Sequence, residues 1–264
     1  MKEESENMEN EKKEWFESED FWTNYAPIMF DEQKWAEAPA IAEKVMEIAE
    51  LKEGDTVLDA GCGVGRISVE LAALGLDVTG VDIIQSELDT AKESAKDEGV
   101  ELKLIKADLR TFKTEEHGIS KKFDCAVDLY TSFGYCDTEE EDTEILKSIF
   151  DSLKDGGIFI LENLSREVEI RYFTKGEEFV RAGKKVTTEF SVVGAWEGLR
   201  SHWTLTDIKT GEVIDHEFVQ RLYSAAELRK TLLKIGFKSV EIYGDFMQNP
   251  YDENMATMVL VCRK

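Results

Sequence analysis

Long apolar runs are missing from this 264-residue chain. No stretch approaches the roughly 18 residues that a membrane-spanning helix needs. Paired cysteines are missing too. Cys62, Cys125, Cys136 and Cys262 fall at no metal-ligand or redox spacing. A chain of this size does not need disulfides to fold, so a reduced, cytoplasmic setting is expected. Histidine is scarce: His117, His202 and His216 lie far apart and form no H-E-x-x-H or comparable cluster, so no metal site is expected. Basic residues are heavily outnumbered, 32 against 56 acidic, for a net charge of −24. Such a surface repels nucleic-acid phosphate and anionic lipid, which argues against DNA and membrane partners. Solubility accounts for the charge, with attraction of cationic substrates as the functional alternative. The opening Met1-Lys2-Glu3-Glu4-Ser5-Glu6 is acidic and polar, unlike a signal or transit peptide.

What is present has a clear order. Residues 1–13 are nearly all charged or amide-bearing and are expected to be a disordered acidic tail. Seven large rings follow, Trp15, Phe16, Phe21, Trp22, Tyr25, Phe30 and Trp35, which suggests a helical lid over residues 14–37. Apolar spacing predicts a helix from Pro39 to Leu51. Strands and helices then alternate: strands at 56–60, 77–82, 101–106, 123–129 and 158–161, helices at 65–74, 86–97 and 139–153. Alternation of this kind predicts an α/β fold, a doubly wound parallel sheet covered on both faces. The pattern breaks over residues 167–221, where period-two stretches punctuated by Gly183, Gly194, Gly198 and Gly211 predict an inserted antiparallel sheet. A helix at 224–235 and strands at 239–243 and 256–262 complete the main domain, residues 14–166 and 222–264.

The most informative stretch is Val57-Leu58-Asp59-Ala60-Gly61-Cys62-Gly63-Val64-Gly65-Arg66. A strand runs through three glycines into a helix, which lets a ligand lie against bare backbone. No phosphate-binding G-x-x-x-x-G-K-[ST] loop is present. A dinucleotide loop would need a glycine where Arg66 stands, and an acid such as Asp59 makes little sense beside a pyrophosphate. It makes good sense beside a ligand carrying an amino group and a sulfonium. The next strand ends in Asp82, placed to accept from a ribose diol.

Asp59-Ala60-Gly61-Cys62-Gly63-Val64-Gly65 resembles motif I, D-x-G-x-G-x-G, of the class I S-adenosylmethionine-dependent methyltransferases. The resemblance covers almost all of residues 40–264. It implies a seven-stranded Rossmann-like sheet of order 3-2-1-4-5-7-6, with strand seven antiparallel, and S-adenosyl-L-methionine as cofactor. It implies further that the Gly61, Gly63 and Gly65 backbone and Asp59 hold the methionine part, Asp59 at its amino group. Asp82 would hold the ribose hydroxyls and Ile83 would flank the adenine. Asp108 would accept from the adenine amino group and Leu109 would supply a backbone N–H. Phe123–Leu129 resembles motif IV, whose end at Leu129 faces the methyl group. Arg66 meets the cofactor carboxylate or caps the loop. Asp155-Gly156-Gly157 resembles the turn before strand five.

Thr131-Ser132-Phe133-Gly134-Tyr135 resembles a small-molecule subgroup that includes sugar-amine N-methyltransferases. It makes Tyr135 a candidate catalytic residue, with a packing tyrosine as the alternative and more common reading. Tyr25 on the lid is the other, and Tyr130, Glu162, Asn163 and His202 are further polar candidates. His202 reads more readily as a half-buried structural residue, and His117 and His216 read as surface residues. The DNA amino-methyltransferase signature is absent at Asp128-Leu129-Tyr130-Thr131. The expected function is therefore methyl transfer to nitrogen or oxygen of a small-molecule acceptor. A protein or RNA methyltransferase, or a non-catalytic S-adenosylmethionine-binding protein, are the alternatives.

Overall fold

Near-continuous apolar runs such as Val57-Leu58 and Ile158–Leu161 suit strands buried on both faces, and they form the centre of the main sheet. The computed structural model describes residues 14–264; the acidic tail expected at 1–13 lies outside the described residues. In chain order the elements are a 3-10 turn (Trp15–Glu17), α1 (Glu19–Met29), α2 (Glu32–Ile48), β1 (Thr56–Ala60), α3 (Arg66–Ala73), β2 (Asp77–Asp82), α4 (Gln85–Glu98) and β3 (Lys103–Lys106). A second 3-10 turn (Thr114–His117) follows, then β4 (Phe123–Asp128), α5 (Glu139–Ser152), β5 (Leu153–Asn163), α6 (Arg166–Tyr172), β6 (Gly176–Arg181), β7 (Lys184–Val193), β8 (Gly198–Asp207) and β9 (Val213–Arg221). The chain ends with α7 (Ala225–Ile235), β10 (Ser239–Tyr243) and β11 (Met258–Arg263).

Seven strands form one sheet in the order β3-β2-β1-β4-β5-β11-β10, and four form a second in the order β6-β7-β8-β9. Counting only the main-sheet strands, this is 3-2-1-4-5-7-6, and β11 runs antiparallel to both its neighbours. The parallel strands aim their carboxyl ends at one edge, where ligands bind in open α/β sheets. One apolar cluster, including Leu58, Phe159 and Leu232, fills one face of the sheet; another, including Val57, Ile160 and the α2 residues Ala42 and Val45, fills the other.

Three boundaries differ from the sequence expectation. Pro39 does not open a helix. Asp31 does, its carboxylate accepting from Lys34 N at 3.0 Å, and Pro39 sits inside α2. A proline and an acidic cap both favour helix starts, and here the cap lies further upstream. Leu153–Gly157 belongs to β5 through an irregularity in the β4–β5 register rather than to a separate turn. A short helix, α6, precedes the inserted sheet; Ser165 caps it, accepting from Val168 N at 3.1 Å.

The insertion is fastened to the loop after β4. Arg221 N donates to Gly134 O at 2.7 Å, Gln220 Nε2 to Phe133 O at 3.2 Å and the Arg221 guanidinium to Asp137 O at 2.9 Å. Gly134 must be glycine there: its φ is +94°, and a Cβ would stand 2.8 Å from the Arg221 carbonyl oxygen. Beneath this clasp the fully buried Asp142 of α5 accepts from Tyr223 Oη at 2.8 Å and Arg221 Nε at 3.1 Å. Asp142→Ala would leave Arg221 and Tyr223 facing a cavity. We expect a loss of about 3 kcal/mol, measured as a lower urea midpoint at unchanged slope.

Candidate functional site

A cleft of about 1160 Å³, counted out to solvent, opens at the carboxyl ends of β1, β2 and β4. Its floor is the glycine loop. Gly61, Gly63 and Gly65 all have positive φ, +74°, +50° and +78°. Gly61 and Gly63 line the cleft. A Cβ on Gly63 would meet only Glu87 Oε2, at 3.6 Å, and so would point into open space that a ligand can use. Gly65 serves packing instead, since its Cβ would come 2.7 Å from Ala91 Cβ on α4.

Four acids surround this floor. Asp59 is buried and accepts from Ser68 Oγ at 2.5 Å. Burial, with the neighbouring Asp82 charge, pushes its carboxyl up to about 6 against the pull of that hydrogen bond and of Arg66. Asp82 accepts from Gly63 N at 2.8 Å and from Ile84 N at 2.9 Å, one bond to each oxygen. A carboxylate oxygen has two acceptor sites, so each Asp82 oxygen keeps one for a ligand. Burial raises its pKa, and the backbone donors oppose that. Glu87, in the first turn of α4, is buried with Oε2 unpartnered among the described residues.

Asp108 behaves otherwise. Its Oδ1 accepts from Arg110 N at 2.8 Å and Arg110 Nε at 3.0 Å; its Oδ2 accepts from Nε at 2.8 Å and lies 2.6 Å from Nη2. Its acceptor sites are therefore taken by Arg110, and an incoming amino group has to share or displace that guanidinium. Arg110 also reaches Glu17 Oε1 at 2.9 Å, which ties the first 3-10 turn to the cleft. Hydrogen bonding to Asp108 raises the Arg110 pKa further. Arg66 is buried, donates to Lys34 O at 2.6 Å and lies 4.1 Å from the Tyr130 ring centroid. In this structure it therefore fastens the loop to α2. Ile83, Leu109 and Leu129 line the cleft, as does Arg66.

The roof is aromatic. Phe16, Trp22, Met29 and Phe30 close over the cleft, and Tyr135 lines its inner wall. Trp15 packs edge-on against Tyr135 at 4.8 Å and stacks on Phe218 of β9 at 4.3 Å. Burial, with the Asp128 charge, raises the Tyr135 pKa, so the phenol keeps its proton at neutral pH. Tyr130 and Thr131 both have left-handed backbone, φ +59° and +65°. Such strain persists where surroundings enforce it; here Tyr130 N donates to Glu162 Oε2 at 2.8 Å.

Two candidate positions are corrected. Tyr25 does not line the cleft. It is buried against Phe21, and its hydroxyl donates to Trp203 O at 3.0 Å, so it fastens α1 to β8. His216 is not a surface residue. Its ring packs 4.5 Å from that of Phe21, with Nε2 buried and unpartnered among the described residues, and burial lowers its pKa. His202 bridges Glu189 and Asp215 on the inserted sheet, away from the cleft, and His117 stacks on Phe112. Asn163 is fully buried beside the carboxyl end of β5, outside the cleft lining. Sequence reasoning missed Arg110 and Glu87. Glu87 had a visible signal, a carboxyl on the helix face otherwise made of Leu88, Ala91 and Ala95.

Arg110 and Glu19 together hold the lid. Glu19 of α1 accepts from Gln85 N at 3.1 Å and from Ser86 N at 3.3 Å, which caps α4 from another element. Arg110→Ala should loosen residues 15–29. We expect their amide exchange to speed up about five- to tenfold, as for loss of a partly buried pair worth about 1 kcal/mol. Exchange within β4 and β5 should be unchanged.

Comparison with known proteins agrees with this geometry. A family model described as a methyltransferase domain matches residues 51–217. An S-adenosyl-L-methionine-dependent Diels-Alderase of Talaromyces variabilis is 30% identical over 66% of the chain, which spans 61% of that protein's length. Among solved structures, an S-adenosylmethionine-dependent methyltransferase from Clostridium acetobutylicum superposes with a TM-score of 0.74 at 17% identity, covering 92% of this chain and 97% of the other. An amino pentose methyltransferase from Micromonospora echinaspora, solved with S-adenosylmethionine bound, gives 0.65 at 18% identity, covering 92% and 96%. The family match spans more than half of the sequence and the sheet order is the one the motifs implied. The chain therefore belongs to the methyltransferase-domain family, in its class I, S-adenosylmethionine-dependent branch.

Proposed function

We propose that the protein transfers a methyl group from S-adenosylmethionine to nitrogen or oxygen of a small molecule. The observation that carries this reading is one continuous cleft. It runs from the Asp59–Gly63–Asp82 floor to a chamber walled by Tyr135 and roofed by Phe16 and Trp22. S-adenosylmethionine supplies an electrophilic methyl carbon on a sulfonium. In this reading Asp82 accepts from the ribose hydroxyls through its two remaining acceptor sites. Asp59 faces the amino group, Ile83 and Leu109 flank the adenine, and Leu129 borders the methyl. The lid aromatics exclude water and hold the acceptor in line, and positioning of this kind can lower a barrier by several kcal/mol.

Two features favour a small amine among acceptors. Among the described residues the cleft has no histidine in its lining, and Tyr135 stays protonated. A neutral amine needs alignment and desolvation, whereas a hydroxyl needs a base. Both cleft arginines are already engaged, by Lys34 O and an aromatic ring or by Asp108 and Glu17, so neither is free to hold an anionic acceptor. The roofed chamber also supports a small molecule over an RNA or protein segment, as does the net charge of −24. The fungal Diels-Alderase relative makes a non-transfer reaction the second reading to test.

Incubation with methyl-labelled S-adenosylmethionine and a panel of small amines, alcohols and acids should give a labelled, singly methylated amine. Cofactor binding without label transfer to any acceptor would overturn the transfer reading. Tyr135→Phe should lower kcat/KM for the acceptor about tenfold and leave S-adenosylhomocysteine affinity unchanged.

Asp59 sets a pH dependence. Below about pH 6 its carboxyl is protonated and loses its attraction for an ammonium group. Affinity for S-adenosylhomocysteine should therefore rise from pH 5 to pH 7, and Asp59→Asn should flatten that rise in calorimetric titrations.

A further inference from the structure

Glu87 is an anomaly on its helix. The buried face of α4 consists of Glu87, Leu88, Ala91 and Ala95, so a carboxyl occupies a position that an apolar side chain would fill by packing. It is about 5% exposed, and Oε2 has no hydrogen-bond partner among the described residues. A buried polar group left unpaired is destabilising. Two further carboxylates face it, Asp82 at the end of β2 and Glu19 on α1. Burial first, and then these charges, push its pKa up to about 7. The side chain nonetheless lines the cleft, and Oε2 lies 3.6 Å from where a Gly63 Cβ would stand.

We propose that Glu87 is a second sugar-binding residue, forming with Asp82 a two-carboxyl clamp on the ribose hydroxyls of the nucleoside. The inference rests on the reading that Asp82 faces the ribose. Asp82 keeps one acceptor site on each oxygen after bonding Gly63 N and Ile84 N. A diol offers two donor hydrogens but also oxygen lone pairs, which a carboxylate cannot satisfy. Glu87 in its acid form donates to such a lone pair; in its charged form it accepts a hydroxyl hydrogen. Either form gives Oε2 the partner it lacks in the free protein. Gly63 lies between the two carboxyls, and the absence of its Cβ leaves room for a sugar ring.

The test is a ligand-by-residue cycle read by calorimetry. S-adenosylhomocysteine and its 2′-deoxy and 3′-deoxy counterparts are titrated into wild-type protein, Glu87→Met, Glu87→Gln and Asp82→Asn. In wild type, removing the hydroxyl that Glu87 contacts should weaken binding about tenfold or more. In Glu87→Met that ratio should fall at least threefold, while Glu87→Gln, which retains both a donor and an acceptor, should keep most of it. Free Glu87→Met should melt no lower than wild type, because an unpaired carboxyl has been replaced by an apolar group.

Unchanged discrimination in Glu87→Met overturns the inference while leaving Asp82 in its role. A fall in Glu87→Met melting temperature with discrimination intact does so too, by showing a structural carboxyl. If Asp82→Asn and wild type alike fail to distinguish ribose from its deoxy forms, the reading of Asp82 falls, and the clamp with it.

Discussion

The hydrogen bond from Gly63 N to Asp82 Oδ2, 2.8 Å long, ties the end of β2 to the loop that leaves β1. Parallel pairing of β1 with β2 brings Asp59 opposite Gly80 and Ala60 opposite Val81, so the two strand ends arrive side by side. The loop must then turn sharply into α3 without touching α4. Glycine achieves this twice, by left-handed backbone at Gly63 and by a bare Cα at Gly65 against Ala91. Once that turn is fixed, Asp59, Gly61, Gly63 and Asp82 all line one cleft. The glycine-loop end of the cleft, the proposed cofactor end, follows from this arrangement.

The aromatic end of the cleft, the proposed acceptor chamber, is assembled differently, from segments distant in sequence. Tyr135 stands on the loop after β4, Trp15 on the N-terminal segment, and Phe218 on the inserted sheet, yet the Trp15 ring lies within 5 Å of the other two. The lid is not a loosely hinged flap over this chamber. Tyr25 fastens it to β8, Glu19 caps α4, and Glu17 meets Arg110. Each contact replaces a solvent interaction at the lid with one to a different part of the molecule.

This contrast explains what the sequence made legible. Asp59, the glycines and Asp82 lie on adjacent strands whose local pattern fixes their direction, so strand-end reasoning located them. The strand order, the insertion and α7 were legible for the same reason, because periodicity and turn chemistry are local signals. Tyr25 was misjudged because its partner, the Trp203 carbonyl, lies 178 residues away and leaves no local trace. Asp108 is expected to accept from an adenine amino group, and nothing in sequence says that Arg110, two residues on, folds back onto both its oxygens. His216 looked exposed in a polar stretch, but a strand alternates its faces, and that position turns toward Phe21. Pro39 was read as a helix start because helices favour proline there, and the acidic cap at Asp31 outweighed it.

Arg221 closes the inserted sheet and at the same time grips the loop that carries Tyr135, through Gly134, Cys136 and Asp137. Two segments separated by most of α5, β5 and the insertion are thus a single mechanical part. A displacement of one is therefore carried to the other, and under the proposed reading the two would shape the acceptor chamber together. Grafting the post-β4 loop together with the insertion, rather than either alone, would keep these hydrogen bonds intact above an unchanged glycine floor.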